Sequence, residues 1–203
     1  MDRRKLLKSA VASASLFVGA NSHARLACQD FAPGLRQCSA GIDSSLLHIS
    51  AIRANSGMQE QSQWCWAACI SMVFSYYGHP VNQSRIVAET WGSIYNLPAQ
   101  PHHILANLNR QWIDDNGVRF GVISGTGNTH PASAAQDLAS DMPLIIGTQG
   151  HAVVLTSLTY SNKPYGVDVD AAIVRDPWPG RGRRMLSPQE WFGINFAAQI
   201  RVV

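Results

Sequence analysis

Charged residues are scarce in this chain, and its charges are nearly balanced. Asp, Glu, Lys and Arg make up 14% of the 203 residues, against 46% for hydrophobic residues, which excludes the composition of a disordered chain. The formal net charge of +3 comes from the first 24 residues, since 12 basic and 12 acidic residues remain without them. A near-neutral chain has no basic stripe to neutralise phosphates, so we expect no nucleic-acid partner.

A long hydrophobic run is missing as well. The apolar stretch of residues 10–20 contains serine and glycine, and it is shorter than the roughly 20 residues of a membrane-spanning helix. It follows a basic segment at residues 3–8 and precedes Ser22-His23-Ala24, which is the order of regions in a signal peptide. We expect cleavage after Ala24, export to the periplasm or the exterior, and no stable membrane insertion afterwards. The paired arginines Arg3-Arg4 resemble a bacterial twin-arginine signal, with an ordinary secretory leader as the alternative.

Cysteines number only four, and we divide them into two kinds. Cys28 and Cys38 flank a short loop in which Pro33-Gly34 can turn the chain, so the sequence predicts one local disulfide between them in an oxidising compartment. Lipidation of Cys28 is the alternative, which we disfavour because Arg25 stands where such sites have an aliphatic residue.

The other two cysteines, Cys65 and Cys69, are four residues apart on a predicted helix and face the same side of it. Both could be small buried hydrophobes. A zinc site with His102 and His103 is a further alternative, but the CxxC and HxxxH spacings that make such an interpretation strong are absent. We therefore expect no metal and no other cofactor.

Hydrophobic periodicity predicts helices in the first half of the chain and strands in the second. The helices are expected near residues 62–78, with Ser62 as N-cap and Gly78 at the end, 82–91 and 101–112. After a turn at residues 114–117, strands are expected at residues 118–123, 143–148, 151–160, 171–175 and 198–203, with a helix opening at Thr129 and a capping box from Ser187 to Glu190. The fold class is α+β, with an N-terminal helical half packed against a C-terminal antiparallel sheet.

The order of the domains follows from the same patterns. We expect residues 1–24 to be the signal peptide, residues 25–54 an N-terminal arm with the local disulfide, and residues 55–203 the catalytic-sized domain. At 203 residues the chain is long enough for one substantial core but not for two.

Cys65 has the position that a reactive cysteine needs. A thiol near neutral pH is mostly protonated, and a helix N-terminus or a nearby imidazolium favours the nucleophilic thiolate. Cys65 falls in the opening turn of its predicted helix, where unpaired N–H groups and the positive end of the dipole lie. An inert core cysteine is the alternative that the helix position alone leaves open.

Three segments resemble those of papain-like cysteine peptidases. Gln59 and Trp64-Cys65-Trp66-Ala67-Ala68 are similar to the family's nucleophile segment, which has Gln six residues before the cysteine and Cys-Trp-Ala across it. Gly150-His151-Ala152-Val153-Val154 resembles the histidine strand. Asp176-Pro177-Trp178 resembles the segment in which Asn or Asp is followed at the second position by Trp. The resemblance covers about residues 55–203 and is strongest to compact bacterial members, which use Asp.

The resemblance implies a papain-like fold, a protein or peptide substrate, and a role for each matching residue. Cys65 would be the nucleophile and His151 the general acid and base. Asp176 would orient His151. Gln59 would form the oxyanion hole together with the N–H of Cys65. Trp178 would shield the histidine–aspartate pair.

Several points stay open at this level. Gln61 and Gln63 are rivals of Gln59 for the oxyanion hole, and Trp64, where the family has a small residue, is expected to narrow one side of the cleft. An acyltransferase of transglutaminase or isopeptidase type would use the same three residues. A silent binding module on the same fold is the remaining alternative. The oligomeric state is left undetermined.

Overall fold

The computed structural model describes residues 25–42, 57–127 and 129–203. The predicted signal peptide and residues 43–54 of the predicted arm lie outside the described residues. Within them the chain forms five helices and nine strands. In chain order these are β1 (Ala27–Ala32), β2 (Leu35–Gly41), α1 (Cys65–Tyr76), α2 (Gln83–Trp91), α3 (Pro101–Asn107), β3 (Gln111–Ile113), β4 (Arg119–Thr126), α4 (Pro131–Ala139), β5 (Leu144–Thr148), β6 (His151–Lys163), β7 (Gly166–Asp176), β8 (Gly182–Met185), α5 (Pro188–Phe192) and β9 (Ile194–Val202).

The α+β fold class is confirmed. The nine strands form one sheet in the order β1-β2-β6-β5-β9-β4-β3, to which β7 is added beside β6 and β8 beside β7. Every strand pair is antiparallel. No helix in the three described ranges is long and apolar enough to span a membrane.

The helix α1 is the centre of the helical layer, and it is buried on all sides. Each residue from Trp66 to Ser75 is buried, which explains why its sequence is apolar or small throughout rather than along one stripe. The predicted N-cap is wrong. Trp64 occupies the cap position, and no side chain caps the helix there. The predicted end is confirmed, since Gly78 has a positive φ of 87°, a conformation that glycine adopts at little cost.

The third predicted helix is shorter than expected. It ends at Asn107, and Trp112 lies instead in the short strand β3. The indole N–H of Trp112 donates to the carbonyl of Asn107, and its ring meets Phe74 edge-on. Burial of this ring against α1 requires the chain to turn after Asn107, which periodicity alone does not reveal.

The sheet separates two apolar cores. Ile145 and Val154 contact the helical layer of α1, α2 and α3. Their neighbours Ile146 and Val153 belong to a second core under α4 on the opposite face. Since both faces of β5 and β6 are covered, these strands are continuous apolar runs rather than alternating ones.

The disulfide between Cys28 and Cys38 is present. It joins β1 to β2, and the β1–β2 hairpin pairs with residues 157–162 of β6. Cys38, Ala40 and Ile42 are buried in the second core. The hairpin therefore continues the sheet, at the end of β6 that lies away from His151.

Candidate active site

Cys65 and His151 meet where the helical layer reaches the edge of β6. Cys65 is the first residue of α1 and is partly exposed. His151 is the first residue of β6 and pairs across the strands with Thr148. The tight turn between them has positive φ at Gln149 (51°) and Gly150 (78°), as in the two-residue turns that match the twist of a hairpin. This turn places the imidazole at the start of β6, beside the thiol.

The imidazole of His151 contacts both other members of the predicted triad. Its Nε2 lies 2.7 Å from Oδ1 of Asp176, and its ring hydrogen-bonds to the side chain of Cys65. Burial lowers the pKa of His151, but the hydrogen bonds to Asp176 and Cys65 outweigh it and raise the pKa to about 9. At neutral pH the ring therefore carries a proton that it can give to a substrate.

Asp176 is the last residue of β7, and its side chain is fully buried. Burial raises the pKa of this carboxyl, but hydrogen bonds from His151, from the Trp178 N–H and from Arg184 hold it well below its usual value. Oδ1 accepts from the Trp178 N–H at 2.9 Å, as well as facing His151. A buried carboxylate with these donors stays ionised across the physiological range.

Trp178 stands beside the histidine. Its ring lies edge-on to the imidazole of His151, with 6.3 Å between ring centroids, and 44% of the residue is exposed. The ring of Trp178 therefore lies on one side of the imidazole and remains partly in solvent.

Gln59 is buried beneath the segment that leads to Cys65. Its side-chain nitrogen donates to the carbonyls of Gln61 (2.9 Å) and Ser62 (3.0 Å), while its side-chain oxygen is buried with no partner. Its backbone N–H donates to the carbonyl of Pro177, which ties the segment to the Asp176 turn. Both amide hydrogens of Gln59 are thus engaged in this state, so binding an oxyanion requires one of them to change partner.

Trp64, the tryptophan that precedes Cys65, does not line the cleft. Trp64 and Trp66 are both buried, and their indole N–H groups donate to the carbonyls of Tyr95 (2.8 Å) and Leu97 (3.1 Å). The expectation for Trp64 is therefore wrong. The pair instead fastens the loop of residues 92–100 against the N-terminus of α1.

A cleft of about 370 Å³ opens beside Cys65 and His151. The loop of residues 92–100 forms one wall through Pro98 and Ala99, and Phe196 of β9 lies on another. Further lining residues include Gln63, Trp66, Gln100, Pro101, Ile104, Gly147, Thr148, Ala152 and Asn195. Gln63, a rival for the oxyanion hole, thus faces the cleft.

Cys69 lies one turn below Cys65 and is fully buried. Burial raises the pKa of the Cys69 thiol, and the nearby Cys65 and Asp176 raise it further, so this thiol stays protonated. Nowhere in residues 25–42, 57–127 and 129–203 do three or more His, Cys, Asp or Glu side chains come together to hold a metal ion.

Sequence reasoning missed Arg184 and Glu190. Arg184 of β8 donates from Nε to Oδ2 of Asp176 at 2.7 Å, and its two Nη groups lie 3.0 and 2.6 Å from the carboxylate of Glu190. The capping box from Ser187 to Glu190 was predicted and is confirmed, but nothing in it revealed that the same carboxylate also binds an arginine.

Comparisons with known proteins identify the class of this chain. Its fold is that of a papain-like cysteine peptidase. The model of the family described as papain-like cysteine protease AvrRpt2 matches residues 47–195, and the chain belongs to this family. It is therefore a cysteine peptidase and acts on proteins or peptides.

A solved structure and a search of curated proteins complete the comparison. The peptidase domain of Streptococcus ComA, a bifunctional ABC transporter involved in quorum sensing, is 15% identical, with a TM-score of 0.48. The match covers 72% of this chain and 95% of that domain. The comparison with curated proteins gives no match.

Proposed function

We propose that this chain is an exported endopeptidase that cleaves peptide bonds through an acyl-enzyme on Cys65. The observation that carries the proposal is the contact of one imidazole, His151, with both Cys65 and the buried carboxylate of Asp176. The family membership supports the reaction class. The disulfide of the β1–β2 hairpin supports export, because such bonds persist in oxidising compartments.

The reaction has two halves. The Cys65 thiolate attacks the carbonyl carbon of the scissile bond, and the protonated His151 gives its proton to the leaving amine as the C–N bond breaks. Water then attacks the thioester while His151 accepts a proton, which releases the carboxylate product and restores the thiolate. Asp176 keeps the ring oriented through both halves.

The oxyanion that forms in each half needs donors at the N-terminus of α1. The Cys65 N–H is one, since the first N–H groups of a helix have no partner within the helix and no side chain caps α1. We assign the second donor to Gln59, whose nitrogen would release the carbonyl of Gln61 or Ser62 when substrate binds. The unpartnered oxygen of this amide leaves it free to rotate without breaking a further bond.

Replacement of Gln59 by alanine should lower kcat by about 10²- to 10³-fold with little change in KM, because a donor that acts on the transition state is lost. Steady-state kinetics on one cleaved peptide measure this. Gln61→Ala is the matched control and should stay within about threefold of the parent. If Gln63→Ala loses more kcat than Gln59→Ala, the oxyanion donor is Gln63 instead.

The activity should decline on the alkaline side as His151 loses its proton. The pKa of His151 is raised to about 9, so the protonated form that donates to the leaving amine is present below pH 9 and falls tenfold per pH unit above it. A profile of kcat/KM against pH checks this, with samples returned to pH 7 to exclude unfolding. An alkaline limb near pH 6.5, the ordinary histidine value, would contradict it.

The cleft limits what can lie beside the scissile bond. Its walls near Cys65 are mostly apolar, with Pro98, Ala99, Ile104 and Phe196, and we propose that it accepts an apolar side chain of the substrate.

Digestion of a mixed peptide library, with Cys65→Ala as control, tests the proposed function. New peptide termini with apolar residues near the cut support it, whereas incorporation of an added amine without hydrolysis would indicate an acyltransferase.

A further inference from the structure

We propose that Arg184, held by Glu190, is a positioning residue that fixes the Asp176 carboxylate in the rotamer that orients His151. The inference rests on the proposed function, because it assigns a role to Arg184 in that same site. Its observations are separate from those that identify the triad, since they concern the side of Asp176 that faces away from His151.

The two oxygens of Asp176 have different donors. Oδ1 faces His151 and accepts the Trp178 N–H, while Oδ2 accepts Arg184 Nε at 2.7 Å. The other donor near Oδ2 is Arg181, whose Nη1 is 3.5 Å away and whose side chain is 54% exposed. Without Arg184, a fully buried oxygen would keep only this long contact, so the carboxylate would gain freedom to turn away from His151.

The Nη side of the Arg184 guanidinium, which points away from Asp176, is also held in place. Its two Nη groups bind the carboxylate of Glu190 as a fork. Glu190 also accepts the backbone N–H of Ser187 at 2.8 Å, and its carbonyl accepts the hydroxyl of Thr148. The guanidinium of Arg184 thus bridges Asp176 at the end of β7 and Glu190 in α5. The hydrogen bond from Thr148 joins α5 to the end of β5, directly before the turn that leads to His151.

The arrangement requires the planar guanidinium and not merely a positive charge. Arg184 donates from Nε to one carboxylate and from both Nη groups to another. The three hydrogen bonds therefore use N–H groups that point in three directions within one plane. A lysine ammonium at the same place keeps the charge but cannot span both carboxylates. Arg184→Lys therefore separates positioning from electrostatics.

The measurement is the rate of Cys65 alkylation by iodoacetamide from pH 5 to 10, with the labelled residue located by mass spectrometry. It needs no peptide substrate. In the parent, the alkylation rate of Cys65 should change in a step near pH 9, where His151 loses its proton. In Arg184→Lys the step should move down by at least about one pH unit toward the ordinary histidine value, because the hydrogen bond that His151 donates to Asp176, which raises the pKa of His151, is weakened.

Two further variants and one control complete the test. Arg184→Met should move the step downward as well, and Glu190→Gln should move it by a smaller amount in the same direction. Arg183→Lys, at the exposed neighbouring position of β8, should leave it near pH 9. On a cleaved peptide, Arg184→Lys should lose about 10- to 100-fold in kcat at an unchanged KM, which is the usual effect of removing a residue that holds a catalytic group in place.

The outcomes separate this inference from the proposed function. A parent step near pH 9 that stays there, or moves upward, in both Arg184 variants overturns the positioning role and leaves the peptidase proposal intact. A further downward shift on adding Arg184→Lys to Asp176→Asn also overturns it, because a residue that acts through Asp176 has no effect once that carboxylate is gone. If the parent has no step and cleaves no peptide, the proposed function fails and the role of Arg184 fails with it.

Discussion

Cys65→Ala is expected to lower kcat/KM on any cleaved peptide by at least about 10⁴-fold. The nucleophile is lost, and nothing else in the cleft can form the acyl-enzyme, because the remaining free thiol of the described chain, Cys69, is fully buried and protonated. When catalytic residues act together, removing the nucleophile alone typically costs about as much activity as removing the whole set. Progress curves at high enzyme concentration, with product identified by mass spectrometry, measure the residual rate.

Cys69→Ala is the matched control for this substitution. It removes a thiol from the same helix, one turn away, but at a fully buried position. We expect a stability loss of about 1 kcal/mol from the lost packing and a rate within about threefold of the parent. An equal loss of activity in both variants would show that damage to α1, and not loss of the nucleophile, explains the effect of Cys65→Ala.

Asp176→Ala is expected to lower both activity and stability. His151 loses the acceptor that orients it, so kcat should fall by at least about 10²-fold. Arg184 loses a fully buried partner, and breaking such a pair by removing one member costs on the order of 3 kcal/mol. Urea unfolding followed by tryptophan fluorescence measures the stability, and kinetics at low temperature, below the unfolding transition, measure the rate.

Two milder substitutions help to interpret the effect of Asp176→Ala. Asp176→Asn keeps an acceptor oxygen for His151 but removes the charge, so it should retain more activity than alanine and move the alkaline limb to lower pH. Asp170→Asn changes a carboxylate of the same strand that binds Gln37 and Ser161, and it should leave kcat unchanged. If Asp170→Asn and Asp176→Asn reduce the rate equally, Asp176 has no special role in catalysis.

Much of the helical layer could be predicted from sequence because its signals are local. The apolar run after Cys65, Gly78 at the helix end and the start of the next helix near residue 82 each depend on neighbours within one turn. Ser62 failed as a cap for the opposite reason. The start of α1 is set by the tertiary bonds of Trp64 and Trp66 to the loop of residues 92–100, which no local pattern contains.

Residues of the candidate site could be predicted only where they stand in a short sequence motif that resembles one of a known family. Cys65, His151 and Asp176 stand in such segments, and the structure brings them together. Arg184 does not, because the residues of β8 alternate between half-buried and exposed like those of any solvated strand, and the capping box that contains Glu190 does not reveal its arginine partner. Their link to Asp176 depends on how β7 pairs with β8, and pairing of strands is long-range information.

The N-terminal arm shows the same limit. Its disulfide followed from the short loop between Cys28 and Cys38. Its addition to β6 did not follow, because the register depends on Ala40 and Ile42 entering a core built by α4 and β5, about a hundred residues later. The arm carries little hydrophobic periodicity, because every residue of β1 is exposed and only Cys38 and Ala40 of β2 are buried.

The strand β6 has a consequence for motion during turnover. It is 13 residues long, with β5 and then β2 along one edge and β7 along the other. Amide protons in so thoroughly paired a strand exchange with solvent only when the whole domain opens. His151 and the buried helix that begins at Cys65 are thus anchored in the slowest-opening part of the molecule. We therefore expect the adjustments that admit a substrate and release its products to fall to the loops of residues 57–64, 92–100 and 177–181, which lie outside the helices and strands.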